Sequence, residues 1–411
     1  MNLPEHTEIF LGRQPILDAS QNVVAYELLF RSGWNLSANV TNDVLATATV
    51  ITNTVSHFGI DNVLDKQLGF INVSYELLMS DVLELLPKER IVLEILETVK
   101  IDPKAVERCR ELKAKGFRLA LDDFEYDDSY DELFEVVDII KFDMLLSSPE
   151  QVEASLERIR RWPQIQLLAE KVEDLEQFHR CHAWGFSLFQ GYFFARPAIL
   201  SGKKANPRQL VLLRVMNQIM NDVEIREIEN TFKESPNLVL GLLRLVNSVG
   251  MGLRLKISSL QQALVVLGHK HLQRWVQLLL YVQDGTIATN PLMQMAATRA
   301  RTMELLCQSR SKQVDADAAF MTGILSLVDV LLGMNMEDIL NQLSLSEDVR
   351  DAILLRQGYL GRLLALMESV EIGDFSSVAE GLESLHLTAA DLSHAELEAM
   401  QWVGQLGEMV D

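Results

Sequence analysis

The chain has 411 residues, 48% hydrophobic and 23% charged, a composition that suits two or three folded domains and excludes a large disordered fraction. Its 37 Lys and Arg against 58 Asp and Glu give a formal net charge of −21, a field that repels polyanions, so direct nucleic-acid binding is not expected. Cys109, Cys181 and Cys307 stand far apart with no CxxC spacing, which leaves no disulfide framework or zinc ribbon and fits a reducing cytoplasm. The N-terminus carries no basic segment followed by an apolar stretch, so no signal peptide is expected. The longest apolar run, 318–334, is interrupted by Asp329 and weakened by Gly323 and Gly333, and no membrane insertion is expected.

Residues 1–200 hold short apolar runs that each close on a polar residue, with helical stretches between them. The runs are 69–72 (Gly-Phe-Ile-Asn), 91–94 (Ile-Val-Leu-Glu), 118–123 (Arg-Leu-Ala-Leu-Asp-Asp), 139–143 (Ile-Ile-Lys-Phe-Asp), 166–170 (Gln-Leu-Leu-Ala-Glu) and 186–190 (Phe-Ser-Leu-Phe-Gln). Runs of four to six residues separated by helices predict parallel strands buried on both faces, in a (β/α) barrel or a doubly wound sheet. Either fold places ligands at the carboxyl ends of the strands, so the closing polar residues share one rim.

Residues 201–208, Ser-Gly-Lys-Lys-Ala-Asn-Pro-Arg, read as a linker. From 209 to 411 the spacing becomes helical: Leu212, Val215, Met216 and Ile219 fall at i, i+3, i+4 and i+7, and Ala263, Val266 and Leu267 repeat the theme. The acidity is concentrated before the linker, with a net −14 over residues 1–200 and −7 after them.

The rim set is Glu27, Asn72, Glu94, Asp122, Asp123 and Glu170, with Lys141 and Gln190 alongside. Apart from the lysine these are hard oxygen donors that suit Mg²⁺ or Mn²⁺, and the adjacent Asp122 and Asp123 are placed to face two different ions. Two ions about 4 Å apart would activate a water and stabilise the leaving oxygen of a phosphodiester. Acids at strand ends are also common as solvated residues or helix N-caps, so the argument rests on the group and not on any one member.

These residues resemble the EAL family of cyclic di-GMP phosphodiesterases, and specifically the group in which a shortened EAL domain precedes an HDOD domain. The Glu-x-Leu-x-Arg frame is Glu27-Leu28-Leu29-Phe30-Arg31. Phe70-Ile71-Asn72-Val73-Ser74, Leu93-Glu94-Ile95-Leu96-Glu97, Leu121-Asp122-Asp123-Phe124, Ile140-Lys141-Phe142-Asp143, Ala169-Glu170-Lys171-Val172-Glu173 and the stretch Phe189-Gln190-Gly191-Tyr192-Phe193 follow in order. The resemblance implies a TIM-like barrel. It also implies Glu27, Asn72, Glu94 and Asp122 as ligands of a first metal, Asp123 as a ligand of a second, and Lys141 on the attacking water or a phosphate. Glu170 then corresponds to the general base or its metal-linked equivalent, Gln190 to a hydrogen-bonding residue on the ligand side and Arg31 to a phosphate partner.

The chain departs from the family at three places. Glu125, Tyr126, Asp127 and Asp128 stand where active members have a glycine-containing loop, and residues 122–138 hold nine acids and no base. Only 40 residues separate Arg31 from Asn72, and Lys171 replaces the glycine of the usual Glu-Gly-Val-Glu.

Residues 235–268 resemble the HDOD signature, a helical relative of HD phosphohydrolases that has lost the metal-binding His-Asp pair. Ser326 and Leu327 stand at the pair's positions and neither can hold a metal, so no cofactor is expected in the helical half. His269 and His271, two apart, point to different helix faces.

The expected protein is therefore a shortened EAL-type barrel followed by a helical HDOD output domain, a cytoplasmic bacterial signalling regulator. In it the barrel binds cyclic di-GMP, turns it over weakly or serves as scaffold, with up to two Mg or Mn ions. A protein contacts the helical half, and a homodimer is the oligomer considered. The alternative is an active metal-dependent phosphodiesterase producing linear diguanylate.

Overall fold

The computed structural model describes residues 9–32, 63–64, 66–122, 130–195, 207–235, 238–239, 242–243, 257, 259–281, 290–310 and 315–410. The chain divides into two compact units, Met1–Arg196 with Val370–Ala379, and Pro197–Ser369 with Glu380–Asp411.

The first unit is a closed eight-stranded barrel in strand order 1 to 8: β1 Ile9–Asp18, β2 Val23–Ser32, β3 Leu68–Val73, β4 Ile91–Ile95, β5 Arg118–Leu121, β6 Ile139–Asp143, β7 Gln166–Glu170 and β8 Leu188–Gln190. The strands from β2 to β8 pair in parallel, as the apolar runs predict. The first strand differs. It is antiparallel to both β2 and β8, because β1 and β2 form a hairpin whose turn is held by Asp18, which accepts from the backbone N–H groups of Ser20 and Asn22, each at 2.8 Å.

Three helices of the barrel wall start on signals written in the sequence. Asp102 caps α1 (Pro103–Ala114), accepting from the Ala105 N–H at 2.8 Å with Pro103 in the first turn. Ser148 and Gln151 form a reciprocal capping box on α2 (Pro149–Ile159). Asp174 caps α3 (Leu175–Trp184), which Gly185 ends in a left-handed conformation. Their apolar faces, among them Val106, Leu112, Val152, Leu156 and Phe178, are buried.

The second unit is helical. It contains α4 (Pro207–Met220), α5 (Ile225–Lys233), α6 (Leu260–Tyr281), α7 (Pro291–Arg310), α8 (Ala316–Leu325), α9 (Val328–Leu332), α10 (Met336–Leu340) and α11 (Glu347–Leu355). Gly358–Ile372, Phe375–Leu385 and Ala389–Val410 are also helical, and of these Val370–Ala379 is counted with the first unit. Leu212, Val215, Met216 and Ile219 are buried on one face of α4, as their spacing predicts. On α6 the buried stripe is Leu260, Ala263, Leu264 and Leu267, which turns Val266 to the exposed side, contrary to the expectation from sequence. Gly268 then breaks the helical backbone at φ 66°. Among the described residues no helix is long and apolar enough to cross a membrane.

Candidate active site

The barrel interior is plugged by one apolar layer of Ile16, Ala25, Phe70, Val92, Ala120, Ile139 and Leu168. Side chains alternate along a strand, so the residue two further on faces the same interior. That step leads from Ala25 to Glu27, Phe70 to Asn72, Val92 to Glu94, Ala120 to Asp122, Ile139 to Lys141 and Leu168 to Glu170. Gln190 stands two beyond Leu188, which packs against the same layer. Strand β1 runs the other way, and its contribution, Gln14, lies two residues before Ile16. The polar residues therefore form the next layer of the barrel. They are not an exposed rim: Glu94, Lys141, Glu170, Glu27 and Gln190 are all buried.

Lys141 is the hub. Its ammonium donates to Asp122 Oδ1 at 3.1 Å and Glu27 Oε2 at 3.4 Å, and it is in direct ion-pair contact with Glu94 and Glu170. Gln190 Nε2 donates to Glu27 Oε2 at 2.7 Å and to Gln14 Oε1 at 2.9 Å, and Asn72 Nδ2 donates to Glu27 Oε1 at 3.4 Å. Burial alone would lower the Lys141 pKa, but the four carboxylates outweigh it and hold the ammonium well above the usual lysine range. Burial and the neighbouring Glu27 charge push Glu94 well above the carboxylate range against the pull of Lys141. Glu170 is pushed up to about 8, chiefly by burial.

Several donors remain unused. Asn72 Oδ1, Glu94 Oε2 and Gln190 Oε1 are buried oxygens with no hydrogen-bond partner, a costly condition for atoms shielded from water. Carboxylate oxygens of Glu27, Glu94 and Glu170 all lie within 4.8 Å of one another. A hard-oxygen set with unsatisfied members at this spacing fits a hard divalent cation.

The structure adds residues that the sequence reading did not single out. Gln14 belongs to the polar layer. Asp143, two residues beyond Lys141 and paired in register with Glu170, is buried, with Oδ1 accepting from the N–H groups of Leu145 at 2.7 Å and Leu146 at 3.1 Å. Its Oδ2 is ion-paired with Lys171, a residue in the left-handed region at φ 52°. Next to it the β7 and β8 ends are laced together, the Val172 N–H donating to Gln190 O at 3.0 Å and the Phe193 N–H to Val172 O at 3.1 Å. Gly191 permits that approach, since a Cβ there would lie 2.2 Å from Val172 O.

Of the other expected positions, Asp123, Glu125, Tyr126, Asp127, Asp128 and the Arg31 side chain lie outside the described residues. In the helical unit Ser326 and Leu327 are buried at the end of α8. The Ser326 hydroxyl donates to Gly323 O and accepts from Arg299 Nη1, both at 2.6 Å. The Arg299 guanidinium is itself buried, with Glu368 Oε1 at 4.0 Å. His269 Nδ1 lies 3.6 Å from Asp222 Oδ1 at the surface, and the His271 side chain is exposed.

Comparison with known proteins bears on both units. The EAL domain family matches residues 2–197 and the HDOD domain family residues 209–354. The chain is 30% identical over 404 residues to the cyclic di-GMP phosphodiesterase CdgJ of Vibrio cholerae, covering 98% of this chain and 94% of that one. It is 29% identical over 407 residues to the Bacillus subtilis protein YuxH, covering 97% and 98%. Among solved structures, the Bacillus subtilis EAL-domain protein YkuI, in complex with cyclic di-GMP and calcium, matches with a TM-score of 0.39 and 22% identity, over 63% of this chain and 72% of that one. The domain order and the near full-length match to CdgJ place this chain in the family of proteins that join an EAL barrel to an HDOD domain.

Proposed function

We propose that the barrel is a metal-dependent cyclic di-GMP phosphodiesterase domain. In this reading Glu27, Asn72, Glu94 and Asp122 hold a divalent cation. The observation that carries it is the trio of buried, partnerless oxygens on Asn72, Glu94 and Gln190 within a layer of acids. An acidic site of this kind repels a phosphodiester until its charge is compensated. When bound, the cation supplies that compensation and polarises the phosphate and the attacking water.

The chain's own residues do the rest. Lys141, kept charged by four carboxylates, donates to the attacking water or to a phosphate oxygen. Glu170 takes the proton that water loses. Gln190, anchored on Glu27 and Gln14, orients the ligand. Water adds across one phosphodiester bond, giving a linear dinucleotide with one phosphomonoester and one free hydroxyl. The helical unit carries the output through a protein contact, a reading supported by the exposed apolar pair Val265 and Val266 on α6. The setting is the cytoplasm, in keeping with three buried free thiols whose pKa values burial pushes up to about 12, 11 and 12 for Cys109, Cys181 and Cys307.

A second reading, nucleotide binding without turnover, is favoured by one observation, the acidic sequence Glu125–Asp128 in place of a glycine-containing loop. Titration of cyclic di-GMP in Ca²⁺ followed by product analysis in Mn²⁺ separates the two. Binding with a linear product supports the phosphodiesterase, and binding alone supports the sensor. Neither heat nor product from folded protein removes both.

A further inference from the structure

We infer that the turn Glu371-Ile372-Gly373 is a built-in cap on the barrel mouth, with Glu371 taking hydrogen-bond donors that a phosphodiester of the ligand would use. The inference rests on the nucleotide reading above. Val370–Ala379 is the stretch of the C-terminal chain that belongs to the first unit. Its contact with Tyr192 spans 179 positions of sequence.

The placement of the turn follows from the layers of the barrel. Leu29 stands two beyond Glu27 on β2, so it shares the inward face one step outside the polar layer. Gly373 lies against that step: a Cβ added to it would stand 3.4 Å from Gln14 Nε2 and 3.7 Å from Leu29 Cδ1. Its left-handed backbone, φ 74°, ends the helix Gly358–Ile372 at this point. Two hydrogen bonds hold the residue at the helix end. Gln14 Nε2 donates to Glu371 O at 3.3 Å, and Tyr192 Oη donates to Glu371 Oε2 at 2.8 Å. Gln14 is bonded to Gln190, and Tyr192 stands two residues beyond Gln190, so both donors adjoin the residue that orients the ligand.

What the turn presents to those donors is negative. Glu371 brings a carboxylate, and the last carbonyls of a 15-residue helix form the negative end of its dipole. A phosphate oxygen accepts from the same kinds of group, an amide N–H and a phenol O–H, and a cyclic dinucleotide brings two phosphodiester anions to the mouth. Carboxylate and phosphate repel at that range, so entry of the ligand requires the turn to leave. The hold of the turn is suited to release. Val370 and Val378, on either side of it, are buried, whereas Ile372, the apolar side chain of the turn itself, is 58% exposed. The grip on the mouth is thus polar, and water can replace it at modest cost.

Gln14 serves both the cap and the polar layer, whereas Glu371 is no member of the layer, so the test is made at Glu371. Cyclic di-GMP in Ca²⁺ is titrated by calorimetry into the full-length protein, Glu371→Ala, Glu371→Gln and, as a control for net charge, the exposed Glu383→Gln. The expected Kd falls about tenfold in Glu371→Ala and by a smaller factor in Glu371→Gln, which keeps an acceptor without the charge, and stays within about twofold in Glu383→Gln. In the unaltered protein, hydrogen exchange of peptides spanning 370–379 is expected to quicken when cyclic di-GMP is added. An unchanged or raised Kd in both Glu371 variants overturns the inference and leaves the nucleotide reading intact. Slower exchange with ligand does the same, since the turn would then be a wall of the site and not a cap. No binding by any of the four proteins overturns the nucleotide reading and the inference with it.

Discussion

Each unit of the chain buries a basic side chain, and the two burials have opposite logic. In the barrel, Lys141 faces four carboxylates, and buried oxygens beside it are still without partners. In the helical unit, Arg299 meets a neutral hydroxyl, Ser326, that also satisfies the carbonyl of Gly323, with the Glu368 carboxylate at 4.0 Å. The first arrangement has an excess of negative charge and spare donors, the condition of a site that takes up a cation. The second ties a guanidinium to a helix end, where it works as a structural clamp. Two buried bases in one molecule thus separate a site from a scaffold by what surrounds them.

Activity gives the sharpest separation. Glu170→Gln keeps the shape of the layer but removes the proton acceptor, and we expect hydrolysis to fall by roughly 10²- to 10⁴-fold. Nucleotide binding in Ca²⁺ should persist, measured by calorimetry. Arg299→Met should leave hydrolysis within about threefold, since Ser326 and Glu368, which it meets, are not members of the polar layer. A drop in Arg299→Met comparable to that in Glu170→Gln would break the division into site and scaffold.

Stability in the presence of metal is the next test. Lys141→Met removes the base from a buried cluster of acids and should cost about 3–5 kcal/mol in urea unfolding of metal-free protein. Mn²⁺ should recover part of that loss by supplying the missing positive charge. Arg299→Met should cost about 1.5–3 kcal/mol, the range for hydrogen bonds to charged groups, and Mn²⁺ should not recover it. Recovery of Arg299→Met by Mn²⁺ would assign the helical unit a metal site of its own.

Much of the barrel site was legible because two periodicities coincide in it. Short apolar runs marked the strands, and the period of two carried each run from a plug residue to a polar one, as from Val92 to Glu94 or Leu168 to Glu170. Sequence placed those residues together on one rim, and closure of the barrel makes of that rim a layer whose members Glu27, Glu94, Lys141, Glu170 and Gln190 are buried. Gln14 escaped notice because β1 is antiparallel and its layer residue precedes the plug residue instead of following it. Asp143 stood inside a recognised stretch, but its importance lies in a contact with Lys171, 28 positions away, that no local pattern encodes. Arg299 was invisible for a related reason. In the stretch 298–301, Thr-Arg-Ala-Arg, two bases in a helix look like a solvated face, and only packing decides that Arg299 is buried while Arg301 reaches Glu304 and Glu398.

The smallest effect is expected at Gln14, and it tests whether the antiparallel strand belongs to the site at all. Gln14 touches none of the acids through an ion pair; it accepts from Gln190 Nε2 at 2.9 Å while that amide also donates to Glu27 at 2.7 Å. Gln14→Ala removes one of two acceptors, so Gln190 keeps its anchor on Glu27 but loses the fork that fixes its plane. The substitution also removes the donation of Gln14 Nε2 to Glu371 O at 3.3 Å, so the expected stability loss is about 1–3 kcal/mol, that of two neutral hydrogen bonds. Hydrolysis should weaken by a few-fold through KM, because ligand orientation suffers while Lys141 and Glu170 are untouched. A change in kcat with KM preserved would instead mean that Gln14 acts on the acids through Glu27, and the polar layer would then behave as a single hydrogen-bonded unit from β1 to β8.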